Sequence, residues 1–170
     1  MSWTLGKRLL LFVLIVATVG CDRVTKHYAA ETLAASPARS FMLDTIRLEY
    51  AENAGAFLGL GANWPAEIRT GLFTVGNVLL LVGMAVAAFR RRWPGPAIVG
   101  VALFVASGAS NVADRIARGS VIDFMNVGVG PLRTGIFNVA DMAIMMGLAL
   151  ALYAAHARKD DGAAPPPGGG

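Results

Sequence analysis

The sequence predicts an all-α membrane bundle of four spanning helices with a small β element, on three observations. Of its 170 residues, 55% are hydrophobic and 15% charged, and the mean hydropathy is +0.57, too apolar for a soluble domain of this size. Two stretches, Thr70 to Phe89 and Gly95 to Ala113, contain no charged residue, and each is long enough to cross about 30 Å of hydrocarbon. The basic residues, which give a net charge of +4, fall in short clusters between the apolar runs rather than on a separate module. That distribution argues against nucleic acid and for membrane orientation.

Taken in order, Lys7 and Arg8 precede an apolar run, Leu9 to Cys21, which becomes a full span at about 9–28 if the helix continues past Asp22. Cys21 is the single cysteine, so an internal disulfide and a thiolate metal cluster are excluded. In FMLDTIRLEY, Ile46, Leu48 and Tyr50 alternate with Thr45, Arg47 and Glu49, the period of a half-buried strand. Asn53 and Gly55 follow as turn residues. The next spans are expected at about 70–89, 95–113 and 136–155, the third with small residues at spacing four (Ala102, Ala106, Ser110) that allow close helix packing. Arg90, Arg91 and Arg92, and then Arg158 and Lys159, lie on the same side as Lys7 and Arg8 in this topology. The positive-inside rule makes that side the cytoplasm, with both termini inside. A single integral membrane domain over 1–157 is expected, followed by a disordered tail, 158–170, ending in PPPGGG.

Candidate chemistry gathers on the outer face. Asp141 is embedded in IFNVADMAIMM and Asp123 in SVIDFMNV, where a carboxylate must find a partner or shift its pKa upward. Two such groups side by side cannot both ionise easily, so one holds a proton while the other acts as a base toward water, the arrangement of aspartic proteolysis. The alternative is that Asp141 pairs with Arg115 or Arg133, or caps a helix through Asn138. Asn111, Asp114 and Arg115 in SNVADR, and Asn138 three residues before Asp141, stand where they could hold such a pair or grip a substrate backbone. His27 and His156 are the only histidines, and they fall on opposite sides with no HExxH spacing. Zinc hydrolysis and a Ser/His/Asp triad therefore lack their parts, leaving only a remote serine nucleophile at Ser110 with Lys26 as base.

The strings SNVADR, GSVIDF and FNVAD, in that order, resemble the motif series of the lipoprotein signal peptidase family, signal peptidase II. CDRVTK at Cys21 to Lys26 resembles the family's DQxSK segment, and ENAGAF at Glu52 to Phe57 its NxGAAF segment. This chain has Arg23 where the family usually has Gln, Ser110 where it often has Gly, and one Ala fewer in the GAAF segment. The resemblance implies a membrane aspartic peptidase with four transmembrane helices and a periplasmic β-cradle. Such an enzyme cuts diacylglyceryl-modified prolipoproteins just before the lipidated cysteine in the bacterial inner membrane, without a cofactor. By motif, Asp123 and Asp141 would form the catalytic dyad. Asn53, Gly55, Asn111, Asp114, Arg115 and Asn138 would shape or support the site, and Asp22 and Lys26 would support its base. A complete dyad in one chain makes a monomer sufficient.

Two rival readings use the same residues. TVGC ending at Cys21 imitates a lipobox, which would make the chain a substrate, although the remaining spans are not an exported soluble domain. A proton-coupled transporter would carry midplane charges or broken helices, whereas the second and third spans are free of charge.

Overall fold

Thr4 opens the first helix by accepting a hydrogen bond from the Lys7 amide at 3.5 Å. The helix, α1 (Leu5–Thr32), then runs unbroken through Cys21, which lies exposed on it. The computed structural model describes residues 4–55, 61, 63–90 and 93–162, without the side chains of 89 and 158–162. Ala56 and Phe57 of the ENAGAF segment, Arg91, Arg92 and the tail from 163 onward lie outside the described residues. α1 covers the expected 9–28 and extends beyond it at both ends. Its buried positions, Asp22, Lys26 and Ala29, recur at helical spacing and form one stripe. Leu9, Leu10, Phe12 and Val13 are exposed.

After α1 come strands β1 (Arg39–Phe41) and β2 (Ile46–Asn53). A one-turn helix, α2 (Ala66–Arg69), then passes through a π-helical segment (Thr70–Gly76) into α3 (Asn77–Arg90). The second apolar helix thus starts at Ala66 rather than 70. α4 (Gly95–Arg118) outlasts the expected end at 113. Gly119, at φ 78°, stops it by donating its N–H to the Arg115 carbonyl at 2.9 Å, the left-handed terminus that glycine adopts without penalty. The chain then enters β3 (Val121–Val129), β4 (Leu132–Arg133) and α5 (Val139–Gly162). α5 begins three residues later than expected and continues past 157, so residues 158–162 are helix.

The described residues are mostly helical, with one small antiparallel sheet of order β1-β2-β3-β4. Among the described residues, three helical stretches, Ala66–Ala88, Gly95–Arg118 and Val139–Ala157, are long and apolar enough to cross a membrane. Within the sheet, Ile46 pairs with Val127 and Asn53 with Val121, with a bulge between Leu48 and Ala51. β2 is half-buried along nearly its whole length rather than alternating, although Leu48 and Tyr50 of the expected apolar face do pack on the core. The sheet packs on the end of α1 through Ala29, Leu33, Ile122 and Phe124, with Leu48, Tyr50 and Met125 around them.

α4 and α5 meet at a pair of glycines. A Cβ on Gly100 would lie 2.5 Å from the Gly147 carbonyl oxygen, and one on Gly147 2.5 Å from that of Gly100. Such close backbone approach is how apolar helices gain contact in lipid, where the hydrophobic effect between them is absent. Of the small-residue row expected to serve this purpose, Ser110 is buried while Ala102 and Ala106 are half-buried.

Candidate active site

Asp123 lies on β3 opposite Ala51, and Asp141 lies in the first turn of α5. Asn138 joins them. Its side-chain oxygen accepts from the Asp141 backbone N–H at 2.9 Å while its own backbone N–H donates to Asp141 Oδ2 at 3.1 Å. This is a reciprocal capping box, here with aspartate in the acidic position. The same side chain donates through Nδ2 to Asp123 Oδ1 at 2.6 Å. Capping and convergence, set against each other on sequence grounds, therefore occur together. Among the described residues neither Arg115 nor Arg133 pairs with Asp141. Arg133 instead bonds Asn126 Oδ1 and the Asp44 carbonyl.

The remaining carboxylate oxygens are met by two more amides. Asn53 Nδ2 donates to Asp123 Oδ2 at 2.9 Å, and Asn111 Nδ2 donates to Asp141 Oδ1 at 2.9 Å. Each amide is itself oriented from behind. The Gly55 N–H donates to Asn53 Oδ1 at 2.9 Å, and Arg115 Nη2 holds the Gly55 carbonyl at 2.6 Å. Lys26 Nζ donates to Asn111 Oδ1 at 2.7 Å, which leaves the amide nitrogen of Asn111 turned to Asp141.

Lys26 is almost fully buried and also contacts Asp22 Oδ2 and Asp114 Oδ2, each at 2.8 Å. Its three protons thus have three acceptors. Asp22 additionally accepts from Ser110 Oγ at 2.7 Å and from the Ala140 amide at 2.9 Å, one of the donors that the first turn of α5 leaves free. Arg23 bonds Asp114 Oδ1 and the Ser110 carbonyl, both at 2.5 Å. The residue noted only as a departure from motif is therefore a second cation of this buried cluster.

A cavity of about 250 Å³ is lined by Asp123, Asp141, Asn53, Asn111 and Arg115, and by an amide that motif reading missed, Asn77. The rest of its lining is largely apolar, with Leu81 from α3, Phe104 from α4, and Ile144 and Met145 from α5. Asp22, Lys26 and Asp114 stand one layer behind and do not line it. Asn77 had a sequence signal, since it is an amide within the charge-free run Thr70 to Phe89. Asp123 is 2% exposed, and burial pushes its carboxyl up to about 6. The charge of Asp141 acts in the same direction, against the hydrogen bonds from Asn53 and Asn138.

Two carboxyl groups held by amides thus border one cavity among helices of membrane length. The family model described as Signal peptidase (SPase) II matches residues 14–157. The chain belongs to the signal peptidase II family and is a protease of the membrane. Lipoprotein signal peptidases similar to it include those of Syntrophus aciditrophicus, 30% identical over 84% of this chain and 89% of the relative, and of Syntrophotalea carbinolica, 31% over 84% and 89%. That of Streptococcus pneumoniae is 25% identical over 87% and 93%. Two solved bacterial membrane enzymes share the fold. One, at 2.3 Å resolution, has a TM-score of 0.77, 22% identity and coverage of 99% of this chain and 97% of that one. The other, at 1.9 Å, has a TM-score of 0.72, 23% identity and coverage of 90% and 94%.

Proposed function

We propose that the protein removes signal peptides from diacylglyceryl-modified bacterial prolipoproteins, cutting before the lipidated cysteine with Asp123 and Asp141 as the catalytic pair. The observation that carries this reading is the position of Asn138, bonded to both carboxyl groups that border a largely apolar cavity. A peptide tethered by acyl chains in the bilayer reaches such a site by lateral diffusion, and confinement to two dimensions orients its scissile bond.

In the topology that goes with this reading, α1 is a fourth span. Its 28 residues reach about 42 Å, and its charges Asp22 and Lys26 face α4 and α5 rather than lipid. Lys7 and Arg8 place its start in the cytoplasm, and both termini lie there. The sheet is the periplasmic cradle, and residues 1–157 act as one domain, sufficient as a monomer.

The surroundings of the two carboxyls differ. Asp141 sits at the start of α5 and accepts a backbone N–H and the Asn111 amide that Lys26 orients. The pair shares one proton, which Asp123 carries as the acid. Asp141 takes a proton from water as its oxygen attacks the scissile carbonyl carbon, and Asp123 gives its proton to the carbonyl oxygen. In the resulting diol, Asp141 returns its proton to the amide nitrogen, Asp123 recovers one from a hydroxyl, and the C–N bond breaks.

The test is cleavage of a purified diacylglyceryl-modified prolipoprotein by the protein in detergent or proteoliposomes. Asp123→Asn and Asp141→Asn, each shown to be folded, are expected to lose turnover by at least a thousandfold, on the order of what removing an essential acid or base costs. Full activity in either variant rules out the pair.

A further inference from the structure

Asn77 stands at the junction where the π-helical segment gives way to α3. Its backbone N–H goes to the Thr74 carbonyl, so the carbonyl four residues back, that of Phe73, is taken by its own side chain, with Nδ2 donating at 2.7 Å. Phe73 is 7% exposed and stacks on Trp64 with ring centroids 5.8 Å apart. One end of the Asn77 carboxamide is thereby anchored. Among the described residues its oxygen and second N–H have no partner, although it lines the same cavity as Asp123 and Asp141. Its neighbour on that wall one turn on is Leu81, with Phe104 and Met145 also lining the space. The half-buried carboxamide therefore presents an acceptor and a donor to the cavity.

We propose that Asn77 is a substrate-positioning residue whose carboxamide pairs with the main chain of the signal peptide on the helix side of the two aspartates, an inference that rests on the peptidase reaction proposed above. A peptide entering in extended form presents an N–H and a C=O side by side, and a carboxamide offers the complementary C=O and N–H. The pairing fixes the register of the scissile bond without reading side chains. It draws on a polar group that the helix repair at Phe73 leaves spare.

Asn77→Thr separates repair from substrate contact. Threonine hydroxyls in this protein already bond the carbonyl four residues back, as Thr18 does to Leu14 and Thr32 to Tyr28, each at 2.8 Å, so threonine keeps the bond to Phe73 while losing the paired donor and acceptor. In steady-state cleavage of a diacylglyceryl-modified substrate, KM is expected to rise roughly fivefold to tenfold, the value of one or two hydrogen bonds, with kcat within twofold and melting unchanged. A KM within twofold of the parent overturns the proposal, as does a fall in kcat larger than the rise in KM. If the variant fails to fold, the unaltered protein serves, with synthetic substrates carrying an ester in place of each amide before the cleavage site in turn. One ester position should raise KM by a similar factor, and a flat response overturns the pairing. Failure of the unaltered protein to cleave at all sinks both this inference and the peptidase reading, whereas cleavage with an unmoved KM sinks this inference alone.

Discussion

Replacing Asn138 is the most searching perturbation of the site, because that side chain caps α5 and holds Asp123 at once. In Asn138→Ala the cap acceptor for the Asp141 amide (2.9 Å) and the donor to Asp123 (2.6 Å) both vanish. The other half of the capping box, from the Asn138 backbone N–H to Asp141, survives. Loss of an N-cap costs about 1 kcal/mol, and loss of a buried hydrogen bond to a carboxyl roughly 1.5–3 kcal/mol. The sum is a destabilisation of about 2.5–4 kcal/mol, to be read from thermal unfolding in detergent. Asn138→Ser separates the two roles, since a serine hydroxyl at the cap accepts from the Asp141 amide but is too short to reach Asp123. It is expected to recover about 1 kcal/mol of stability and little turnover. If the bond to Asp123 matters in the transition state, kcat of the serine variant on folded protein stays roughly tenfold to a hundredfold below that of the parent. A serine variant with parental kcat would refute the reasoning, leaving Asn138 a helix cap and nothing more.

Three other outcomes follow from the same geometry. With the Asp123 carboxyl raised to about 6 from 3.8, the folded state binds the extra proton between those values, so its contribution to stability is full below pH 4 and lost as pH rises through 6. Asp123→Asn should therefore gain on the parent in melting temperature as pH climbs from about 4 to 7, and a constant difference would contradict the shift. Gly100→Ala places a methyl 2.5 Å from the Gly147 carbonyl and should cost about 1–3 kcal/mol by forcing α4 from α5. Gly20→Ala meets nothing within 4 Å and should be neutral or gain up to about 1 kcal/mol, so equal melting of the two would refute the packing argument. Arg115→Ala releases the Gly55 carbonyl, and with it the Asn53 amide that meets Asp123. A fall of roughly tenfold in kcat/KM is expected from the lost charged hydrogen bond, and unchanged activity and melting would make Arg115 ordinary surface.

The helices were legible because a span of lipid demands an uninterrupted apolar run, and such runs leave little ambiguity in composition. Asp123 and Asp141 were legible for the converse reason, as charges where charge is costly, and the spacing of Asn138 and Asp141 already carried a capping signal. β3 was not foreseen as a strand. Val121, Ile122, Asp123 and Phe124 are all buried, and a strand covered on both faces shows no alternation from which to read its period. The π-helical segment has no distinct sequence period either, so the exposed and buried residues of Thr70–Gly76 read as ordinary helix. Arg23 was visible only as a departure from motif. Its role depends on Asp114, a residue distant in sequence, and one chain without its fold cannot show that pairing.

The chemistry proposed for the pair also explains why asparagines, and not arginines, touch it. An arginine or lysine directly on Asp123 would hold that carboxyl ionised and remove the acid. Bare apolar surroundings would raise both carboxyls and remove the base. Amide donors lie between these extremes, since they stabilise a carboxylate without fixing it as one. The cations are retained a layer back, where Lys26 and Arg23 balance Asp22 and Asp114, and the influence of Lys26 reaches Asp141 through the orientation of Asn111. The asymmetry between the two aspartates then arises from position. One receives the start of a helix and a lysine-oriented amide, and the other lies on a buried strand. On this reading the cations behind fix how the amides point, and the amides keep the proton shared by the pair transferable.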